Sequence, residues 1–290
     1  MAGGSLAWRI AWELALVAAA LAAGLAAGAL VAYALGAPPL SVIGEMLTSW
    51  RVQPDLVVEY TAMLALTGAA FAIPLHTGLF NIGGEGAFQL GALVGLWVAV
   101  HTSSAPAALA AAALAGAGLV GLAGILRVRV GVNEVLSTIM LNWIVYWVLL
   151  YLVITRLQDP YFTTRTVEVP RGARLPWLSI GGVEVPSTIL ASAAILAALW
   201  VALRLTRWGL LFRFSGANEW SSRTRGVRVG VYRAGSMALA GLLAGVAGAL
   251  HIIGFSHNID VTGSGVRNYG FNGIGVALLG RNDPLAILPA

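Results

Sequence analysis

The sequence predicts an all-α, polytopic membrane protein of about eight membrane-crossing helices, read as a single transmembrane domain over residues 1–290. Three observations carry that expectation. Charged residues are 10% of the 290 and hydrophobic ones 59%, with a mean hydropathy of +0.84, whereas a soluble domain is about 25% charged. Long apolar runs recur, separated by short polar connections. One connection, 204–233, carries seven arginines against a single acid, Glu219. Cationic loops beside membrane spans stay cytoplasmic, so this loop orients the whole chain in the cell (plasma or inner) membrane and places the N-terminus inside.

All seventeen basic residues are arginine. The positive balance fits an anionic inner leaflet rather than nucleic acid. The chain has no cysteine, which excludes disulfides, thiolate nucleophiles and thiolate metal sites. It has no lysine either, so a Walker-type ATP site is excluded. No catalytic constellation stands out within the spans. His251 and His257 match no compact ligand spacing, so neither a metal nor another cofactor is expected.

Taken in order, 10–35 reads as a retained first span rather than a signal peptide, because it is long enough to cross and many spans follow. After Pro38 and Pro39, residues 40–58 read as an amphipathic helix at the outer interface. A second span covers 60–75. The third, 76–100, is the most polar within the membrane: Asn81, Glu85 and Gln89 are four apart and share one face if the segment is helical. Gly78, Gly83, Gly84 and Gly86 weaken that helix. A carboxylate and two amides in an apolar span are costly unless they line a cavity or pair internally, and the alternative for Glu85 is a solvated membrane edge. An interrupted helix facing a cavity is a common transporter device.

The fourth span is 107–126. Asn133 then suits an N-cap, and Glu134 a positive helix start, for a fifth span that ends near Thr155 and also carries Ser137. Asn142 lies too deep to cap that helix and is a candidate for an interhelical hydrogen bond or a substrate path. The connection 156–186 falls outside and offers a surface for an external partner. The sixth and seventh spans, 187–203 and 234–255, flank the arginine loop. Inside that loop Asn218 suits an N-cap, Glu219 a helix start and Gly226 a left-handed end. The resulting helix of roughly two turns is too short to stand alone and calls for a cytoplasmic partner. Phe271-Asn272-Gly273-Ile274-Gly275 echoes Phe80-Asn81-Ile82-Gly83-Gly84, suggesting one polar break used twice in opposite orientations. The last apolar run, after Pro284, is too short to cross a membrane and reads as a truncated chain.

Four stretches, LFNIGGEGAFQLGAL, GVNEVLSTIMLNW, GANEWSSRTRGVRV and YGFNGIGVALLGRNDPLA, together resemble the permease subunit of bacterial ABC importers. The resemblance covers nearly everything from Tyr60 onward and is closest to the branched-chain amino acid/ribose-type superfamily, nucleoside or simple-sugar group. It implies a type II importer fold of about ten helices with inverted repeats. It also implies ABC ATPase subunits, a second permease subunit (a paralogue or a second copy) and an external substrate-binding lipoprotein. Gly216, Asn218, Arg223 and Gly226 match the loop that resembles an ATPase-coupling helix, and Glu219 lies within it. Asn81, Gly83, Glu85 and Gly86 match one family pattern; Asn133, Glu134, Ser137 and Asn142 match another. Ser221 and Ser222 stand where the family commonly has alanine.

The resulting expectation is a non-enzymatic permease whose path, lined by Asn81, Glu85, Gln89, Asn142 and Asn272, passes a nucleoside or simple sugar. A branched-chain amino acid is the alternative substrate. A proton-coupled secondary transporter using Glu85 or Glu134, and an intramembrane enzyme, are alternatives from other classes.

Overall fold

The computed structural model describes residues 6–290; residues 1–5, and with them the terminus expected inside, lie outside the described residues. By internal contacts the chain divides into two compact units, up to Val57 and from Val58 onward. The first unit holds α1 (Leu6–Ala34) and α2 (Pro39–Val52). Gly36 turns the chain between them at φ 77°, a conformation that strains any side chain. The amphipathic helix expected over 40–58 stops at Val52 instead. Pro54 has no N–H to give the preceding turn, and it begins α3 (Pro54–Leu75), where an N–H is not needed.

In the second unit the apolar runs form α3, α5 (Ala105–Val130), α6 (Glu134–Thr155), α7 (Thr188–Leu205) and α10 (Val229–His251), the last extended by a π-helical turn, Ile252–Ser256. These 5 are the helices among the described residues long and apolar enough to cross a membrane. Between α3 and α5 lies α4 (Gly84–Thr102), whose first turns are diluted by Glu85, Gln89 and glycines. Of the eight expected, the first contributes only the apolar stretch Ala18–Ala34 among the described residues, and two polar breaks shorten two others. Residues 76–83 are not helical, and beyond α10 the chain forms only α11 (Tyr269–Leu279) and α12 (Pro284–Ile287).

The core is the trio α4, α5 and α10. Between helices in a lipid setting the drive is packing, so backbones must approach closely. Gly91 of α4 lies against Gly245 of α10, and Gly116 of α5 against Gly241; a Cβ at Gly91 or Gly116 would enter the facing backbone. Around this seam Phe88, Leu96, Val120, Met237 and Leu250 are fully buried.

At the end away from the arginine loop, the connection 156–186 is tied down rather than free. A hairpin of β1 (Trp177–Ile180) and β2 (Val183–Pro186) turns through Gly181 and Gly182 at φ 60° and 86°. The rest of the connection pairs with the chain beyond α10: Thr166 N–H to Ile259, Val169 N–H to His257 and Leu175 N–H to Ile253, each at 2.9 Å. At the arginine end the sequence pointed to one short helix, but there are two, α8 (Arg207–Ala217) and α9 (Glu219–Thr224). Charge bias hid α8, whose Trp208 and Phe212 pack on Tyr232 of α10.

The seam makes a direct prediction. Gly116→Ala lowers stability by about 1–3 kcal/mol through overpacking. Gly118→Ala, where a Cβ meets nothing within 4 Å, is neutral or slightly stabilising. Reversible unfolding of both variants in detergent reads the difference.

Candidate functional site

Two interrupted helices point their N-termini at each other inside the second unit. α4 begins at Gly84 after the non-helical segment 76–83, and α11 begins at Tyr269 after a 3₁₀ turn at 264–266. Each N-terminus presents backbone N–H groups without helical partners and a partial positive charge. Glu85 answers both needs. Its Oε1 accepts from the Asn268 N–H at 2.7 Å and its Oε2 from the Gly270 N–H at 2.9 Å. Gln89 Nε2, one turn along α4, donates to Oε1 at 2.9 Å. Gly270 sits so close to Gly84 and Glu85 that a Cβ there would overlap their backbone.

The neighbouring amides serve the same junction. Asn142 of α6 accepts from the Gly86 N–H and donates to the Ile82 carbonyl, both at 2.9 Å. A Cβ on Gly86 would lie 2.6 Å from Asn142 Oδ1, so glycine is what lets the amide in. Asn81 is not on the helical face expected for it, because α4 starts three residues later. It lies in the break, accepts from the Gly83 N–H at 2.8 Å and donates to the Ala70 carbonyl at 3.3 Å. Ala70 is five residues short of the end of α3, so the break runs about 7 Å into the bundle.

Glu85, Gln89 and Asn142 come together on a cavity of about 130 Å³, with Ile139, Trp143, Tyr146, Arg267, Asn268 and Phe271 on its walls. Gln89 Oε1 is buried there without a hydrogen-bond partner. Arg267 lies over the Tyr146 ring, 4.8 Å from its centre. Asn81 does not line this cavity. Nor does Asn272, which is exposed on α11. The echoed pentapeptides therefore differ in local structure: 80–84 forms the break and the first helical residue, whereas 271–275 lies within α11. Asn268 and Arg267 hold the positions expected of Asn272, and only their closeness to the second glycine-rich break hinted at them.

Asn133 caps α6 by accepting from the Val135 and Leu136 N–H groups at 2.9 and 3.2 Å. Ser137 bonds back to the Asn133 carbonyl, and Glu134 pairs with Arg127 at 3.2 Å. These three residues shape the helix start. A cluster not anticipated from sequence lies toward the other end. Glu59, wholly buried, accepts from Thr188 Oγ1 at 2.6 Å and meets His251 Nδ1 at 3.0 Å, joining α3, α7 and α10. An acid inside an apolar run was the available signal, since such a residue must find a partner.

The arginine end is linked to the break. Asn218 Oδ1 caps α9 by accepting from the Ser221 N–H at 3.0 Å, and Gly226 ends that turn at φ 78°. Glu219 is gripped by Arg223 at 2.6 Å and by Arg233 at 2.8 Å. Arg233 Nε, at the start of α10, also donates to the Thr77 carbonyl at 3.3 Å. Gly216 of α8 lies against His76 and Gly78, leaving no room for a side chain. The arginine-rich loop thus touches the segment that leads to Glu85. The Arg233 hydrogen bond, helped by Arg223, holds the Glu219 carboxyl below its usual range. On the outer surface of α9, Trp220 is 79% exposed.

The sequence matches the family described as branched-chain amino acid transport system/permease component over residues 53–290. It is 31% identical over 278 residues to the glucose ABC transporter permease protein of Haloferax volcanii, covering 88% of this chain and 71% of that one. It is 32% identical over 235 residues to the guanosine ABC transporter permease protein of Bacillus subtilis, and 30% over 239 residues to the nucleoside ABC transporter permease protein of Lactococcus lactis subsp. cremoris. Those two matches cover 78% of this chain and 66% and 65% of the relatives, so the chain spans a little under two thirds of their length. No solved structure matches the chain.

Two outcomes test this geometry. Glu85→Gln sets an amide NH₂ against a backbone N–H and lowers stability in detergent by about 1–3 kcal/mol; Gln89→Leu, which removes one of three donors, costs less. A carboxyl held low in the folded state adds stability above its ordinary value, and this is lost as pH falls through the folded value. The Glu219 tie therefore stays intact at neutral pH and through the ordinary glutamate range, and loosens only in acid below that range. The chain lacks cysteine, so a spin label on R225C reports α9 alone: its mobility should rise in acid toward that of the same label in E219Q.

Proposed function

This chain belongs to the branched-chain amino acid transport system/permease component family, and we propose that it is the membrane-spanning permease of an ATP-driven importer for a nucleoside or simple sugar. The observation that carries the reading is the junction of α4 and α11, a polar cavity inside a bundle of apolar helices. Glu85 spends its charge on the helix N-terminus it bridges to, which leaves the Gln89 oxygen and the Asn268 side chain on the cavity wall to meet a neutral, hydroxyl-rich solute. The unpartnered Gln89 oxygen is an acceptor suited to a sugar hydroxyl. An amino acid brings two fixed charges, and Arg267 alone offers a fixed counter-charge in the cavity wall. The relatives named for glucose, guanosine and nucleosides support the same substrate class.

The arginine end faces the cytoplasm, with Arg127, Arg129 and the arginines of 204–233 on the inner side and the laced connection 156–186 outside. Alternation of spans then assigns the N-terminus to the inner side. α9 is the handle for an ATPase partner: it is short, capped, and carries an exposed Trp220 on its outer surface. Movement of α9 would be passed by Glu219 to Arg233, by Arg233 to Thr77, and by the break 76–83 to the N-terminus of α4. The Glu85 bridge would carry it on to α11, so that the cavity opens toward each side in turn. A second permease subunit and an external binding lipoprotein complete the assembly in this reading.

Co-reconstitution with the ATPase subunits tests it. Uptake of a nucleoside or sugar should need the partner and ATP. Asn218→Pro or Arg223→Glu should weaken substrate-stimulated ATP hydrolysis by roughly 5- to 150-fold, the span of ordinary coupling energies. Uptake by the purified chain alone, driven by a proton gradient, would overturn the proposal.

A further inference from the structure

A second cavity, of about 540 Å³, lies at the arginine end between the end of α5 and the start of α10. That size is within the roughly 300–1,000 Å³ of ligand clefts. Its walls combine two chemistries. Arg129, Arg223 and Arg228 converge on it, while Ile125, Val128 and Val229 give an apolar floor. Arg223 is occupied by Glu219. The guanidinium groups of Arg129 and Arg228 have no hydrogen-bond or ion-pair partner among the described residues, although Arg127, two positions from Arg129, pairs with Glu134. Two uncompensated cations beside the ends of two spans call for an anion at the membrane surface.

The face of α5 above the cavity narrows the choice of anion. Leu114, Gly118, Leu122, Ile125 and Arg129 are spaced four, four, three and four, one stripe of the helix. Leu114, Leu122 and Ile125 are exposed, and nothing lies within 4 Å of a Cβ at Gly118, which leaves a notch in the stripe. An apolar groove that climbs a span and ends at paired cations matches an acyl chain joined to a phosphate. We infer that Arg129 and Arg228 bind the headgroup phosphate of an anionic phospholipid, whose acyl chain lies along the α5 stripe. The site is independent of the transport reading and needs only that α5 and α10 span a bilayer. It stands next to Arg223 of α9, so lipid charge would bear on the handle.

Native mass spectrometry of the full chain in neutral detergent, titrated with phosphatidylglycerol, phosphatidylcholine or inorganic phosphate, tests the inference. Phosphatidylglycerol should be retained roughly 10- to 30-fold more tightly than phosphatidylcholine, as about two cation–anion contacts at a membrane surface would give. R129Q/R228Q should lose that preference, each single variant should lose part of it, and R225Q, whose arginine does not line the cavity, should keep it. Thermal unfolding in neutral detergent identifies a misfolded double variant, in which case the single variants decide. Equal preference for both lipids in the parent chain, or an undiminished preference in R129Q/R228Q, would sink the site. So would full displacement of lipid by equimolar inorganic phosphate, which would make it a free-phosphate site. Loss of the preference on assembly with the ATPase subunits would reassign the arginines to a protein interface.

Discussion

Backbone donors at an interrupted helix have no water to turn to inside a bilayer, and that constraint organises this molecule. Two helices start in the interior rather than at its surface, so two sets of N–H groups and two positive dipole ends need acceptors. Placed nose to nose, they would repel; with one carboxylate between them, they attract it jointly. Glu85 is therefore held by geometry as well as by charge, and Gly270 and Gly86 are glycines because the acceptors must come within touching distance. Asn142 and Asn81 extend the same solution to the remaining open groups of the break.

This arrangement separates a stiff part of the second unit from an adjustable one. The α4–α5–α10 seam is closed by backbone-to-backbone contact and leaves little room to slide. The junction, by contrast, rests on hydrogen bonds from a non-helical segment and from a helix of 11 residues. Displacing the break by a small amount would exchange acceptors without opening the seam. One polar thread from the arginine end to that break runs through Arg233, which shares Glu219 with Arg223 and reaches Thr77.

Much of the plan was legible in the sequence because it rests on local chemistry. Asn133, Asn218 and Gly226 do what an N-cap and a left-handed terminus do in any helix, and Pro54 announces its own boundary once it is recognised as a first-turn residue. Reading Asn81, Glu85 and Gln89 as one face failed because periodicity assumes a continuous helix, and Gly83 and Gly84 were the evidence that it was not. Asn272 was chosen by analogy of strings, whereas the position that matters is set by where α11 begins. Arg267, Asn268 and the Glu59–Thr188–His251 cluster depend on contacts across 121 to 192 positions, which no local pattern records.

The missed helix α8 shows why charge is a poor guide to structure at a membrane surface. Seven arginines in one stretch suggested a solvated loop, yet arginine is a good helix former and its stem covers apolar surface. α8 uses Trp208 and Phe212 to lie on α10 while its Arg207 and Arg213 remain toward the surface. That packing holds Gly216 against His76 and Gly78, so the turn into α9 is anchored on the break itself. The cationic stretch is thus a folded platform in which helix docking and contact with the interior junction are carried by the same few residues.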